Sequence, residues 1–150
     1  MPTRLSPHFT VEELTATQHR RLDNTPSPAV LENLRRTAER MEQVRSLLGD
    51  RVITVSSGYR SPAVNRAVGG AKTSAHLSGL AVDFNCHAFG SPAEVCEAIA
   101  RSSITFDQLI EEGRWVHLSA DPRGRRQVLT KRKNGGYRAG LGRDPPTPGL

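Results

Sequence analysis

Cysteine is scarce in this 150-residue sequence, with only Cys86 and Cys96 present. Two cysteines exclude a disulfide framework, and while one bridge stays open on spacing, two mostly buried thiols are the expectation. No apolar run approaches the ~20 residues of a membrane-spanning helix, so no transmembrane segment is expected. The opening residues Met1 to His8 lack the apolar stretch of a secretory signal, and the reading is a soluble chain with no signal peptide. Aromatic residues make up only 5%. A composition of 36% hydrophobic and 24% charged residues suits one compact domain over residues 1–150.

Charge is uneven along the chain. Residues 1–120 hold 13 Lys/Arg against 13 Asp/Glu and residues 121–150 hold 8 against 2, so the net +6 lies in the last thirty residues. A basic segment of this kind can approach an anionic cell envelope or nucleic acid through surface potential alone, or simply keep the chain in solution. Tyr137 is its only aromatic residue. A stacking platform for nucleic acid needs interleaved aromatics, so no specific nucleic-acid partner is expected.

Local signals place the elements. Thr10-Val11-Glu12-Glu13 has capping-box form and predicts a short helix to about Thr15. After Pro26-Ser27-Pro28, apolar residues from Val30 to Leu48 recur at three- and four-residue steps, predicting a one-sided helix that Gly49 stops. Val52 to Val55 reads as a strand leading into the turn-rich Ser56-Ser57-Gly58-Tyr59-Arg60-Ser61-Pro62, followed by a short helical segment over 63–68. Leu80 to Phe84 alternates, with Asp83 facing away from the core. Ser91-Pro92-Ala93-Glu94 opens a helix to about Arg101. Phe106 to Ile110 and Trp115 to Ser119 read as strands joined by a turn at Gly113, Gln127 to Thr130 as an edge strand, and 141–150 as a frayed end.

Five histidines sort by context. His8 and His19 sit in polar sequence and are expected to be exposed. His76 precedes Asp83 by seven residues in a Ser/Thr/Gly-rich loop, and His117 lies on the polar face of its strand. Two imidazoles and a carboxylate form a common ligand shell for catalytic zinc, with the fourth position left to water. Spacing alone leaves open a hydrogen-bonded or solvated His–Asp pair. Cys86 and His87 are ligand-competent types close to Asp83, but a Cys-His pair at a strand end is more often packing and solvent, and both stay off the ligand list.

The fuller pattern is Ser74-Ala75-His76-Leu77-Ser78-Gly79-Leu80-Ala81-Val82-Asp83, S-x-H-x-x-G-x-A-x-D, with a later Trp115-Val116-His117-Leu118-Ser119. It resembles the zinc-dependent peptidoglycan peptidases of the M15 type, over roughly residues 8–142, and within them the short single-domain subgroup common in phages and prophages. The resemblance implies an α+β domain of the hedgehog/DD-peptidase kind: a small, mainly antiparallel sheet, helices packed on one side and a zinc cleft on the other. It makes His76, Asp83 and His117 the ligands of one Zn2+ ion. Arg60 matches the arginine set over the scissile carbonyl or a substrate carboxylate, with loop capping as the structural alternative. Ser74 matches a position near the substrate backbone.

The general base is where the sequence departs from its relatives. Many have Glu-x-x-His, whereas Arg114 stands three residues before His117. The short subgroup keeps an acid at the position of Glu112, which becomes the expected base with Glu111 in reserve; an acidic turn at a strand end is the plain structural alternative. Trp115 either walls the cleft or belongs to the core. The implied activity is zinc-dependent hydrolysis of a peptidoglycan stem peptide, as a D-alanyl-D-alanine carboxypeptidase or an endolysin-like endopeptidase. Such an enzyme, expected as a monomer, would reach the wall from the host cytoplasm after lytic release or by virion delivery. The rival readings are a zinc-binding module on the same scaffold that does not cleave, and a nucleic-acid binder using the basic segment.

Overall fold

The computed structural model describes residues 3–142. Strands β1 (Arg4–Ser6) and β2 (Phe9–Thr10) form a small ribbon before helix α1 (Val11–Thr15). Thr10 caps α1 by accepting from the Glu13 amide. Helix α2 (Pro28–Leu47) starts on Ser27, whose hydroxyl accepts from the Val30 amide, and Gly49 turns the chain at a φ of 81°. Strand β3 (Thr54–Ser57), helix α3 (Pro62–Ala67), a single 3-10 turn (Ala75–Ser78), strand β4 (Ala81–Asn85) and helix α4 (Pro92–Arg101) follow. The last part is β5 (Gln108–Glu111), β6 (Val116–Ser119), β7 (Gln127–Lys131) and β8 (Tyr137–Ala139). Among the described residues, no helix is long and apolar enough to cross a membrane.

Six strands make the main sheet, in the order β3-β4-β6-β5-β7-β8. Every pairing is antiparallel except β5 with β7. The architecture is therefore α+β with a mostly antiparallel sheet. One sheet face, carrying Val82, Phe84, Leu109, Val116 and Leu118, joins Leu34, Ala38, Met41 and Val44 of α2 and Val95 and Ile99 of α4 in the core. Strand alternation then sends Asp83, His117 and Glu112 to the opposite face. Both cysteines are free thiols buried in the core, and burial pushes the Cys96 thiol up to about 12, with the nearby Glu111 charge adding to the shift.

Several boundaries differ from the sequence reading. The strand expected over 52–55 begins at Thr54, because its ladder partner is Asn85 and Val52 lies outside the pairing, 73% exposed. Phe106 and Asp107 precede β5 rather than open it; Phe106 sits in the core and Asp107 binds arginines. Strand β7 is internal, since β8 adds beyond it as the edge. Leu141 packs against the core instead of fraying, and the rest of the expected frayed end, beyond Gly142, lies outside the described residues. Part of the basic segment is built into the domain: Arg123 and Arg125 bind Asp107, and the Arg126 guanidinium lies 4.6 Å from the centre of the Phe106 ring.

Candidate metal and catalytic site

The loop before β4 is pinned to α2. Asn33 Nδ2 donates to the Ser78 carbonyl at 2.9 Å and Thr37 Oγ1 donates to the Gly79 carbonyl at 2.7 Å. Gly79 has a φ of 77°, and a Cβ there would meet Val30 and Leu34 at 3.1–3.2 Å. Glycine thus allows both the left-handed turn and the close approach to the helix. Ser74 caps the 3-10 turn by accepting from the His76 amide at 3.2 Å, so its hydroxyl helps set the histidine backbone.

This scaffold brings His76, Asp83 and His117 together, with candidate ligand atoms all within 4.8 Å of one another. Asp83 and His117 are direct ladder partners on β4 and β6. Asp83 Oδ1 lies 2.9 Å from His117 Nδ1 and 3.3 Å from His76 Nε2. His76 is 2% exposed, and its Nδ1 lies 2.6 Å from the Gly58 carbonyl. Because that carbonyl can only accept, Nδ1 carries the proton and Nε2 presents its lone pair to the site. Burial pulls the His76 imidazole below its ordinary value, outweighing the Asp83 charge. Burial also works to raise the Asp83 carboxyl, but the hydrogen bond from His117 and the close approach of the His76 ring overcome it and hold the group well below the usual carboxylate range. One imidazole nitrogen from each histidine and an ionised oxygen form a donor set that fits one divalent cation.

Arg60 borders this cluster. Its Nη2 lies 3.5 Å from Asp83 Oδ2, its Nε donates to Ser57 Oγ at 3.2 Å, and its Nη1 donates to Asn65 Oδ1 at 3.1 Å. These partners are side chains, so the guanidinium is not a cap on loop carbonyls. A Cβ on Gly70 would fall 2.1 Å from Asn65 Oδ1 and 2.6 Å from Arg60 Nη1, and glycine keeps that space clear. Neither Asn65 nor Gly70 was among the sequence candidates, since a small polar residue in a short helix and a loop glycine carry no local sign of an arginine seat. A cavity of about 210 Å³, lined in part by Thr17, Gln18, His19, Ser57 and Tyr59, opens beside Arg60.

Glu112 and Glu111 separate by strand parity. Glu112 shares the sheet face of His117, and burial raises its carboxyl above the ordinary value, His117 opposing and Asp83 adding to the effect. Tyr137 Oη lies 3.4 Å from each of its carboxylate oxygens. Glu111 falls on the other face and accepts from the Gly113 amide. Trp115 is part-buried, with Lys131 Nζ 6.0 Å from its ring centre. Cys86 points into the core and His87 is exposed, and neither joins the cluster.

No curated protein matches the chain. A family model described as Peptidase M15 matches residues 7–119, a span that includes Arg60, Ser74, His76, Asp83, Glu112 and His117. With that span covering more than half of the sequence, the chain belongs to the peptidase M15 family.

Proposed function

We propose that this chain is a zinc-dependent peptidase that hydrolyses a peptide bond in peptidoglycan stem peptides, as a D,D-carboxypeptidase or an endopeptidase. The observation that carries the reading is the convergence of His76, Asp83 and His117, with Arg60 beside Asp83, in a member of the M15 family. Zinc held by those three side chains would supply a Lewis acid for the scissile carbonyl and acidify the attacking water.

The chain's own groups supply the rest. Glu112, on the same sheet face as His117, accepts the proton of the attacking water and returns it to the leaving amine. Its raised carboxyl suits both transfers, because a base closer to neutrality gives the proton back more readily. Arg60 is fixed by Ser57, Asn65 and Asp83 and directs its guanidinium to the carbonyl oxygen as negative charge grows there. The cavity beside Arg60 takes part of the stem peptide. Ser74 and Trp115 flank the bound chain, Trp115 as a wall. The basic segment after residue 121 faces the anionic envelope, which the enzyme reaches after lytic release or virion delivery.

The deciding experiment incubates the purified chain with a defined muropeptide and analyses the fragments by mass. Cleavage that is abolished by a chelator and restored by zinc is the expected result, and the fragment masses name the bond. A protein that binds zinc stoichiometrically yet releases nothing overturns the enzymatic reading.

A further inference from the structure

Strands β7 and β8 lie beyond residue 119, where the family match ends, yet they complete the sheet that carries the site. The registers Ile110↔Leu129 and Lys131↔Tyr137 place Glu112, Lys131 and Tyr137 on one face, the face of His117 and Asp83. There the Tyr137 hydroxyl lies 3.4 Å from both Glu112 oxygens, and Lys131 approaches the Trp115 ring. We propose that Tyr137 is a positioning residue for Glu112: its hydroxyl, held over the carboxylate by the β7–β8 hairpin, fixes the orientation in which the glutamate meets the attacking water. The inference rests on the reading of Glu112 as the base.

The geometry suits orientation more than activation. Glu112 stands just past the end of β5, before the Gly113 turn, and a glutamate there has three side-chain torsions to fix. A short hydrogen bond to one oxygen would hold the group but stabilise its charged form and weaken it as a base. A long contact shared between both oxygens sets the carboxylate plane at little cost in basicity. In keeping with this, burial dominates the environment of Glu112, and Tyr137 is the smallest of the influences on its carboxyl.

The test uses the full chain. With zinc loaded and the muropeptide as substrate, Tyr137→Phe should lower kcat about tenfold, the equivalent of one hydrogen bond to a charged group, while KM and bound zinc stay unchanged. In a Glu112→Asp background, where the shorter carboxylate falls away from the phenol, the same change should cost nothing further. A second readout needs no activity. Tyr59 and Tyr137 are the only tyrosines, so phenolate absorbance in the metal-free protein resolves Tyr137 by difference from Tyr137→Phe. Glu112, Asp83, His117 and Lys131 share its face, and Glu112→Gln removes one negative charge from that set, so the Tyr137 phenol should ionise at lower pH in that variant. Unchanged kcat in Tyr137→Phe, or a loss that persists in full on Glu112→Asp, overturns the inference, as does a phenol titration indifferent to Glu112→Gln. A wild-type protein that cleaves while Tyr137→Phe matches it sinks this inference alone; a zinc-loaded wild type that cleaves nothing sinks both readings.

Discussion

The Gly58 carbonyl lies 2.6 Å from His76 Nδ1, and this contact decides which nitrogen of the imidazole faces Asp83. The carbonyl is itself held against α1. Tyr59 donates its amide to the Leu14 carbonyl at 2.7 Å, and a Cβ on Gly58 would come within 2.3 Å of that same Leu14 oxygen. Backbone presses on backbone there, and no rotamer change can relieve it. Gly58→Ala should therefore shift the loop and turn His76, costing about 3 kcal/mol of stability by overpacking. Zinc affinity should fall about 10- to 100-fold through loss of the outer hydrogen bond. Thermal melting and a competitive chelator titration measure the two effects, and a variant that keeps wild-type zinc affinity would show that the Gly58 carbonyl does not orient His76.

What the sequence made legible was local. Ser27-Pro28 and Ser91-Pro92-Ala93-Glu94 mark helix starts because capping is settled within one turn, and both helices begin where those signals stand. The alternation around Asp83 put it on the face opposite the core, and the ladder confirms that side while the surrounding imidazoles and Arg60 leave it only 7% exposed. Contacts between distant segments were not legible. Asn65 and Gly70 shape the seat of Arg60, Tyr137 reaches Glu112 across 25 residues of sequence, and β8 converts an expected edge strand into an interior one. Each depends on pairing that no short window encodes.

Glu112→Gln keeps the size of the side chain and removes its basicity. Zinc content should stay at the wild-type level, because Glu112 is not one of the three clustered candidate ligands, while turnover falls about 10²- to 10⁴-fold. In the wild type, burial raises the Glu112 carboxyl, so kcat/KM should fall on acidification at a pH above the ordinary carboxylate range. A general base works only when ionised, and a raised value moves its loss to higher pH. Turnover retained by Glu112→Gln would remove Glu112 from the mechanism.

Arg60→Lys separates shape from charge. Lysine keeps the cation near Asp83 but cannot serve Ser57, Asn65 and Asp83 together, as the planar guanidinium does. The ammonium should settle on Asp83 and leave the carbonyl oxygen without a directed donor, lowering kcat about 100-fold with zinc binding intact. Steady-state kinetics beside metal analysis resolves the two quantities. A loss confined to KM would assign Arg60 to ground-state binding instead.

Asp107 offers a test of the fold that is independent of the site. The residue is 1% exposed and accepts from Arg125 Nε at 2.8 Å, Arg125 Nη2 at 3.0 Å, the Arg125 amide at 3.1 Å and Arg123 Nη2 at 3.3 Å. The side-chain hydrogen bond from Arg125 is the main reason its carboxyl lies below the ordinary value. A carboxyl depressed by folding contributes stability above its unfolded pKa of about 3.9, and that contribution is lost as pH falls through the lower folded value. Asp107→Asn should melt ~4 °C below wild type at neutral pH, and the difference should shrink as the pH is lowered past the unfolded value. Paired melts at the two pH values read this directly. A constant difference would mean that packing around residue 107, rather than the charge on Asp107, ties the start of the basic segment to the sheet.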